Sequence, residues 1–194
     1  MNVLVLGPQG SGKGTQAKRI SAAHRVPHVS TGDMFRAAIA DGTELGRRVE
    51  PFLASGELVP DELTIALIRD RLSKDDAVGG FVLDGFPRNP VQAKALDEML
   101  RAIGRPLDVV LFFDLDDETA TRRVSGRAHE EARNDDTPEV MARRLAIYHE
   151  QTEPVVERYR TAGTLSTLNA GRSVDDVFAE IEQALANASS GEGT

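Results

Sequence analysis

Val3-Leu4-Val5-Leu6-Gly7-Pro8-Gln9-Gly10-Ser11-Gly12-Lys13-Gly14-Thr15-Gln16 stands at the head of the chain, and its reading decides the fold. A short apolar run enters a glycine-rich turn, and a helical pattern follows through Ala17, Lys18, Arg19 and Ile20. Strand, glycine-rich turn and helix is the context that a phosphate-binding loop requires. Gly7, Gly10, Gly12 and Gly14 admit backbone angles closed to other residues, so successive N–H groups can converge on one anion. The helix starting near Lys13 adds the positive end of its dipole. Lys13 supplies a flexible ammonium that reaches the terminal phosphates of a nucleotide. A dinucleotide fingerprint fails on spacing, because Gly7-x-x-Gly10-x-Gly12 is not G-x-G-x-x-G. A bare strand-to-helix connection leaves the lysine directly after Gly12 unexplained.

Outward from that loop, short apolar runs alternate with helical stretches. Residues His28-Val29-Ser30, Phe81 to Asp84, Val109 to Phe113 and Leu165 to Leu168 read as strands joining Val3 to Leu6. Helices between strands imply parallel pairing, and continuously apolar strands imply burial on both faces. The expected fold is α/β, a P-loop three-layer α/β/α arrangement with a five-stranded parallel sheet. No strand falls between Thr31 and Ser73. There, Thr31 or Asp33 is expected to cap a helix over Met34 to Ala40, and Gly42 to end it. A second helix is expected from Leu45 to Ala54, stopping at Gly56, and a third after Pro60, capped by Asp61. This helical insertion reads as a small mobile subdomain, with helices lying flat on the sheet as the alternative. Val174 to Leu185 reads as a closing amphipathic helix, and the small polar residues after Asn187 as a frayed tail.

With 194 residues and 40% hydrophobic content, the chain suits one core domain with appended subdomains. A formal net charge of −8 argues against a nucleic-acid or anionic-membrane surface, since either needs a basic face. Cysteine is absent, which excludes disulfides and cysteine-ligated zinc. No apolar run reaches transmembrane length, so cytoplasm is the expected location. The 4 histidines lack the paired spacing of ligands or bases and receive no role; His149 reads as a helix-surface residue.

Asp84 ends an apolar strand in a carboxylate, where an aspartate can hold magnesium directly or through water; the competing reading is a simple turn residue. Arginines gather later. Arg122, Arg123 and Arg127 follow a helix start at Asp116 or Asp117, then come Arg133-Asn134-Asp135-Asp136, and Thr137-Pro138 opens a helix bearing Arg143 and Arg144. Arg123 and Arg127, four apart, share a helix face if helix persists that far. A loop clasped between such helix ends closes guanidiniums over a polyphosphate; the competing reading is a solvated hairpin neutralised by Glu130, Glu131, Asp135 and Asp136. Pro154 is expected to kink or break the long helix that follows.

GPQGSGKGTQ, Ser30-Thr31-Gly32-Asp33-Met34-Phe35-Arg36 and Asp84-Gly85-Phe86-Pro87-Arg88 together resemble the nucleoside monophosphate kinases, above all the adenylate kinase family, from Met1 to about Leu185. The general P-loop pattern has a hydroxyl residue directly after the lysine, whereas this chain has Gly14 and delays the hydroxyl to Thr15. The resemblance implies transfer of the terminal phosphoryl group of Mg-ATP to AMP, giving two ADP. It implies ATP contacts at Gly10, Ser11, Gly12, Lys13, Gly14, Thr15, Arg123, Arg127 and Gly171. It implies AMP contacts at Thr31, Arg36, the Glu57-Leu58-Val59 backbone, Gly85, Arg88, Gln92, Arg133 and Arg144. Lys13, Arg88, Arg123, Arg133 and Arg144 would stabilise the moving phosphoryl, with Asp84 holding magnesium through water and no zinc. The division implied is a core of residues 1–29, 74–122 and 138–186, an acceptor subdomain at 30–73, a short lid at 123–137 and a tail at 187–194, in a monomer. UMP/CMP kinases share Gly85 to Asn89 but usually differ at the position of Gln92, which favours AMP. A P-loop switch that binds ATP without turnover is the reading from another class, and it has no need of a second phosphate site at Arg36 and Arg88.

Overall fold

The alternation of side chains along a strand sends neighbours to opposite faces of a sheet. In a strand that is apolar at every position, both faces therefore need a helical cover. The computed structural model, which describes residues 1–130 and 137–190 and not the side chains of 127–130, meets that demand. Strands β1 (Asn2–Leu6), β2 (His28–Ser30), β3 (Phe81–Asp84), β4 (Val109–Asp114) and β5 (Leu165–Asn169) form one sheet in the order β2-β3-β1-β4-β5. Every neighbouring pair is parallel. Central β1 faces β3 through Leu4↔Leu83 and β4 through Leu4↔Val110.

Helices α1 (Lys13–His24), α2 (Thr31–Ala40), α3 (Glu44–Ser55), α4 (Asp61–Leu72), α5 (Pro90–Ala102), α6 (Asp117–Glu130), α7 (Pro138–Ile147), α8 (Glu153–Thr161) and α9 (Val174–Ser190) complete the chain. Leu4, Leu6, Leu83 and Val110 pack with Ile68 and Leu72 of α4, Ala93, Leu96 and Leu100 of α5, and Val155, Val156 and Tyr159 of α8. Val3, Val5, Val82, Leu111 and Phe113 pack on the other face with Ala17 and Ile20 of α1 and with Val177, Ile181 and Leu185 of α9. This is the three-layer α/β/α fold expected from the sequence.

Several local expectations change. Ser30 caps α2 by accepting from the backbone N–H of Asp33, so the helix begins at Thr31 rather than Met34. Asp61 lies inside the first turn of α4 and does not cap it; its carboxylate turns instead toward α5. Segment 30–73 is neither wholly separate nor flat on the sheet. Phe35, Val49 and Val59 form a small core of their own, while α4 joins the main one. At the far end α9 runs on to Ser190, beyond Leu185, with Ser189 Oγ donating back to the Leu185 carbonyl. The expected frayed tail is therefore helical over 187–190, and residues 191–194 lie outside the described residues.

Pro154 has the effect expected of it. The helix that begins at Pro138 widens into a π-helical turn over Tyr148–Thr152, and α8 restarts with Pro154 in its first turn, where a missing N–H costs little. His149 lies in that turn between carboxylates of two other helices: Nε2 meets Asp117 of α6 at 2.9 Å and Nδ1 meets Glu153 of α8 at 2.7 Å. The hydrogen bonds to Asp117 and Glu153 raise its pKa. Only the cation donates through both ring nitrogens. Because the folded pKa is the higher, the stabilisation is complete below the ordinary histidine range and disappears as pH rises through the folded value. His149→Gln should therefore lower Tm by about 1–2 °C at pH 5.5 and leave it unchanged at pH 9, measured by calorimetry. Among the described residues, no helix is long and apolar enough to cross a membrane.

Candidate functional site

The glycine-rich loop connects the end of β1 to α1. Gly12, at φ 85°, stands at the amino end of α1, so the helix starts with its free N–H groups facing the loop's hollow. Gly10 permits a close approach: at φ +84°, a Cβ there would sit 2.5 Å from the Ala120 carbonyl of α6. The loop is thereby seated against the helix that carries Arg123. Lys13 folds back over it, Nζ donating to the carbonyls of Gly7 at 2.7 Å and Pro8 at 2.6 Å, with Ser11 Oγ at 3.4 Å.

Opposite the loop, four elements supply cations and a floor. Thr31 Oγ1 donates to the Gly85 carbonyl at 2.9 Å, and Arg88 Nε donates to the same carbonyl at 2.8 Å. Arg36 pairs with Asp33 one turn away. Arg144 Nη2 donates to the Leu53 carbonyl at 3.4 Å, so α7 reaches α3. Thr152, from the π-helical turn, fixes the Arg88 backbone by donating to its carbonyl at 2.7 Å. Burial lowers the pKa of Arg88, and the nearby charges of Arg144 and Arg36 press it further down against the opposing pull of Asp84. Such crowded cations repel one another, and an anion bound among them would relieve that repulsion.

One cavity joins the two sides. Gly10, Gly12, Lys13, Gly14 and Thr15 line it from the loop, and Arg36, Leu58, Gly85, Arg88 and Arg144 from across it. A smaller one adjoins it, lined by Thr31, Arg36, Glu57, Leu58, Val59, Gly85, Arg88, Gln92 and Arg144. Ser11 is buried beneath the loop, outside both linings. Arg123 and Gly171 lie together outside both linings: Arg123 donates to the Ala170 carbonyl at 2.8 Å and to the Gly171 carbonyl at 3.5 Å. Helix α6 does persist past Arg127, to Glu130, but the side chain of Arg127 and the whole of Arg133 lie outside the described residues. Residues 131–136 of the short lid expected at 123–137 lie outside them as well.

Asp84 borders the main cavity beside Gly14, whose Cβ, if present, would lie 3.6 Å from Asp84 Oδ2. Burial alone would raise its pKa. The hydrogen bond from His28 and the charges of Lys13, His28 and Arg88 outweigh that and hold it below the usual carboxylate value. His28 Nε2 stands 3.4 Å from Asp84 Oδ2. Sequence reading gave His28 no role because pairing of β2 beside β3, which sets Ser30 opposite Asp84, is a matter of topology rather than spacing. Asp61 and Thr152 were missed too. A position one residue after a proline reads as a cap, and a threonine within a helix carries no signal of its own.

Glu57 and Arg143 form a contact that crosses the cavity's rim. Arg143 Nε of α7 donates to Glu57 Oε1 at 2.6 Å, just after α3 ends. The hydrogen bond to Glu57, with the charge of Glu57 behind it, raises the pKa of Arg143. Both side chains are exposed, so the pair is weak and screened by salt. Arg143→Glu and Glu57→Arg should each raise the KM for the acceptor about twofold at low salt. The double reversal should restore it, and steady-state kinetics at low and high ionic strength would show the difference vanish as salt is added.

A P-loop at a strand-to-helix junction, facing a second cluster of arginines across one cavity, defines a nucleotide-binding phosphotransferase that accommodates two anions. Comparisons narrow this. The family model described as Adenylate kinase matches residues 5–164. Proteins named adenylate kinase are 48% identical over 188 residues in Parvibaculum lavamentivorans, covering 95% of this chain and 92% of that one. The corresponding figures are 48% over 177 residues in Thermobifida fusca, 91% and 94%, and 43% over 208 residues in Thermosipho africanus, 93% and 97%. The chain belongs to the adenylate kinase family.

Proposed function

We infer that the chain catalyses reversible transfer of the terminal phosphoryl group of ATP to AMP, giving two ADP. The observation that carries this reading is the single cavity with the Lys13 loop on one wall and Arg36, Arg88 and Arg144 on the other. Phosphoryl transfer asks little covalent chemistry of the protein; the reactants must be aligned and their spreading negative charge met by fixed cations. A phosphate monoester is already an oxygen nucleophile, so no base is required.

Lys13 and the loop amides of Gly10, Ser11, Gly12, Gly14 and Thr15 hold the ATP phosphates, with Arg123 and Gly171 toward the adenine side. Arg36 and Arg88 hold the AMP phosphate. Thr31, Gly85, Gln92 and the Glu57-Leu58-Val59 backbone surround the acceptor base. Arg144 spans both phosphates and meets charge that develops between them, in company with Arg123, Arg127 and Arg133. Closure of residues 30–73 and of a short lid at 123–137 over the core excludes water from the transfer.

Magnesium suits this site. Asp84 is kept anionic beside the loop, the cavity's other carboxylate, Asp33, is paired with Arg36, and among the described residues no three His, Cys, Asp or Glu gather as a cage. A magnesium ion keeps several of its waters and takes phosphate oxygens, so one carboxylate suffices. When bound with ATP it neutralises phosphate charge; Asp84 would hold it through water, and His28 keeps that carboxylate oriented. A monomer in the cytoplasm fits the family resemblance and the net charge of −8.

A coupled assay of ADP formation tests the reading. ADP should appear only when ATP and AMP are both supplied, and faster with AMP than with UMP or CMP. Binding of ATP without AMP-dependent ADP would support a non-catalytic nucleotide switch instead.

A further inference from the structure

We propose that Asp61 sets the purine selectivity of the acceptor site by fixing which end of the Gln92 side-chain amide faces the base. The proposal rests on the reading of Gln92 as a contact to the acceptor base. Gln92 is 1% exposed and lines the smaller cavity with Thr31, Val59 and Gly85. An amide side chain offers an acceptor at one end and donors at the other, and its orientation follows from its partners. Here both ends have partners of a single kind. The Arg88 backbone N–H can only donate, and it meets Gln92 Oε1 at 2.8 Å. The Asp61 carboxylate can only accept when ionised, and Gln92 Nε2 meets its Oδ1 at 2.8 Å.

The same Asp61 oxygen accepts from Asn89 Nδ2 at 2.8 Å, and Asn89 Oδ1 in turn accepts the backbone N–H of Gln92 at 2.9 Å, capping α5. Asp61 therefore ties the first turn of α4, in the acceptor segment, to the first turn of α5, in the core. Within this network Gln92 has one hydrogen left to give, the second on Nε2. A 6-aminopurine presents an unprotonated N1 that accepts such a hydrogen. A 6-oxopurine presents N1–H, which opposes it. Turning the amide over to suit the oxopurine would set N–H against N–H at Arg88 and oxygen against carboxylate at Asp61. Without Asp61 only the first of these conflicts remains, and the amide turns more readily.

The test compares kcat/KM for AMP and for inosine monophosphate in the full-length enzyme. Asp61→Ala should reduce the AMP-to-IMP ratio about tenfold, through KM for the acceptor, with the KM for ATP moving less than twofold. Asp61→Asn keeps an acceptor oxygen in place and should hold the ratio within about threefold of the original. An unchanged ratio in Asp61→Ala, while Gln92→Leu collapses it, overturns the role of Asp61 alone. An unchanged ratio in Gln92→Leu overturns the assignment of Gln92 and this proposal with it. Side-chain amide NMR of the unsubstituted protein needs no folded variant. One Gln92 Nε2 proton should stay fixed and protected on AMP addition while the other shifts, and two equivalent, rapidly exchanging protons would contradict the proposal.

Discussion

Lys13→Ala should lower kcat by roughly a thousandfold and leave the protein folded, because a fixed cation aimed at developing charge is worth about that much in a sheltered site. The lysine lies at the start of α1 with its Nζ already over the loop, 2.7 Å from the Gly7 carbonyl and 2.6 Å from that of Pro8. A short swing takes it from those carbonyls to a phosphate oxygen, so binding exchanges neutral acceptors for an anionic one. Loss of the side chain frees two carbonyls at the edge of an open cavity, where water replaces the lost donor and folding changes little. Lys13→Arg should not restore activity. The guanidinium is planar and broader than an ammonium, and the loop closes around a point charge. Stopped-flow or coupled kinetics, with circular dichroism to check the fold, would measure both.

Arg88→Ala should act on the other substrate. We expect kcat/KM for AMP to fall by about a hundredfold or more, with the KM for ATP within about twofold of the original. The side chain is half-buried, held by its Nε at the Gly85 carbonyl, and crowded by Arg144 and Arg36. An arginine held that way is already aimed, so little rotamer freedom is lost when a phosphate arrives. Removing it also relieves repulsion among the remaining cations, and the protein should become no less stable. Equal damage to both substrates would mean that Arg88 acts on the transferring group alone rather than on the acceptor.

The strand-loop-helix opening was legible because its chemistry is local: glycines, a lysine and a helix start occupy consecutive positions, and Gly12 takes the left-handed conformation. Strands apolar at each position announced burial on both faces, and β1 is buried throughout. The order β2-β3-β1-β4-β5 was not legible, since it depends on which crossover covers which face. His28 beside Asp84 follows from that order, and so it was missed. Caps were legible only by type. Ser30 is as good an N-cap as Thr31 or Asp33, and the strand that delivers Ser30 to the helix start made the choice. Asp61 shows the reverse case. Its place after Pro60 suits a cap, yet Asn89 and Gln92 of α5 approach it and offer donors from amide side chains. The sequence placed Arg36, Arg88 and Arg144 far apart, and the folding of α2, the β3-to-α5 connection and α7 around the end of the sheet brings them to one cavity.

The central claim is that two nucleotides meet with their phosphates end to end between Lys13 and the Arg36–Arg88–Arg144 cluster. A crystal structure with two adenosines joined through five phosphates measures it directly. The account predicts one adenosine phosphate run on the loop amides and Lys13, and the other end held by Arg36 and Arg88 with its base beside Gln92. An inhibitor seated on the loop with its second half extending away from Arg36 and Arg88 would contradict it.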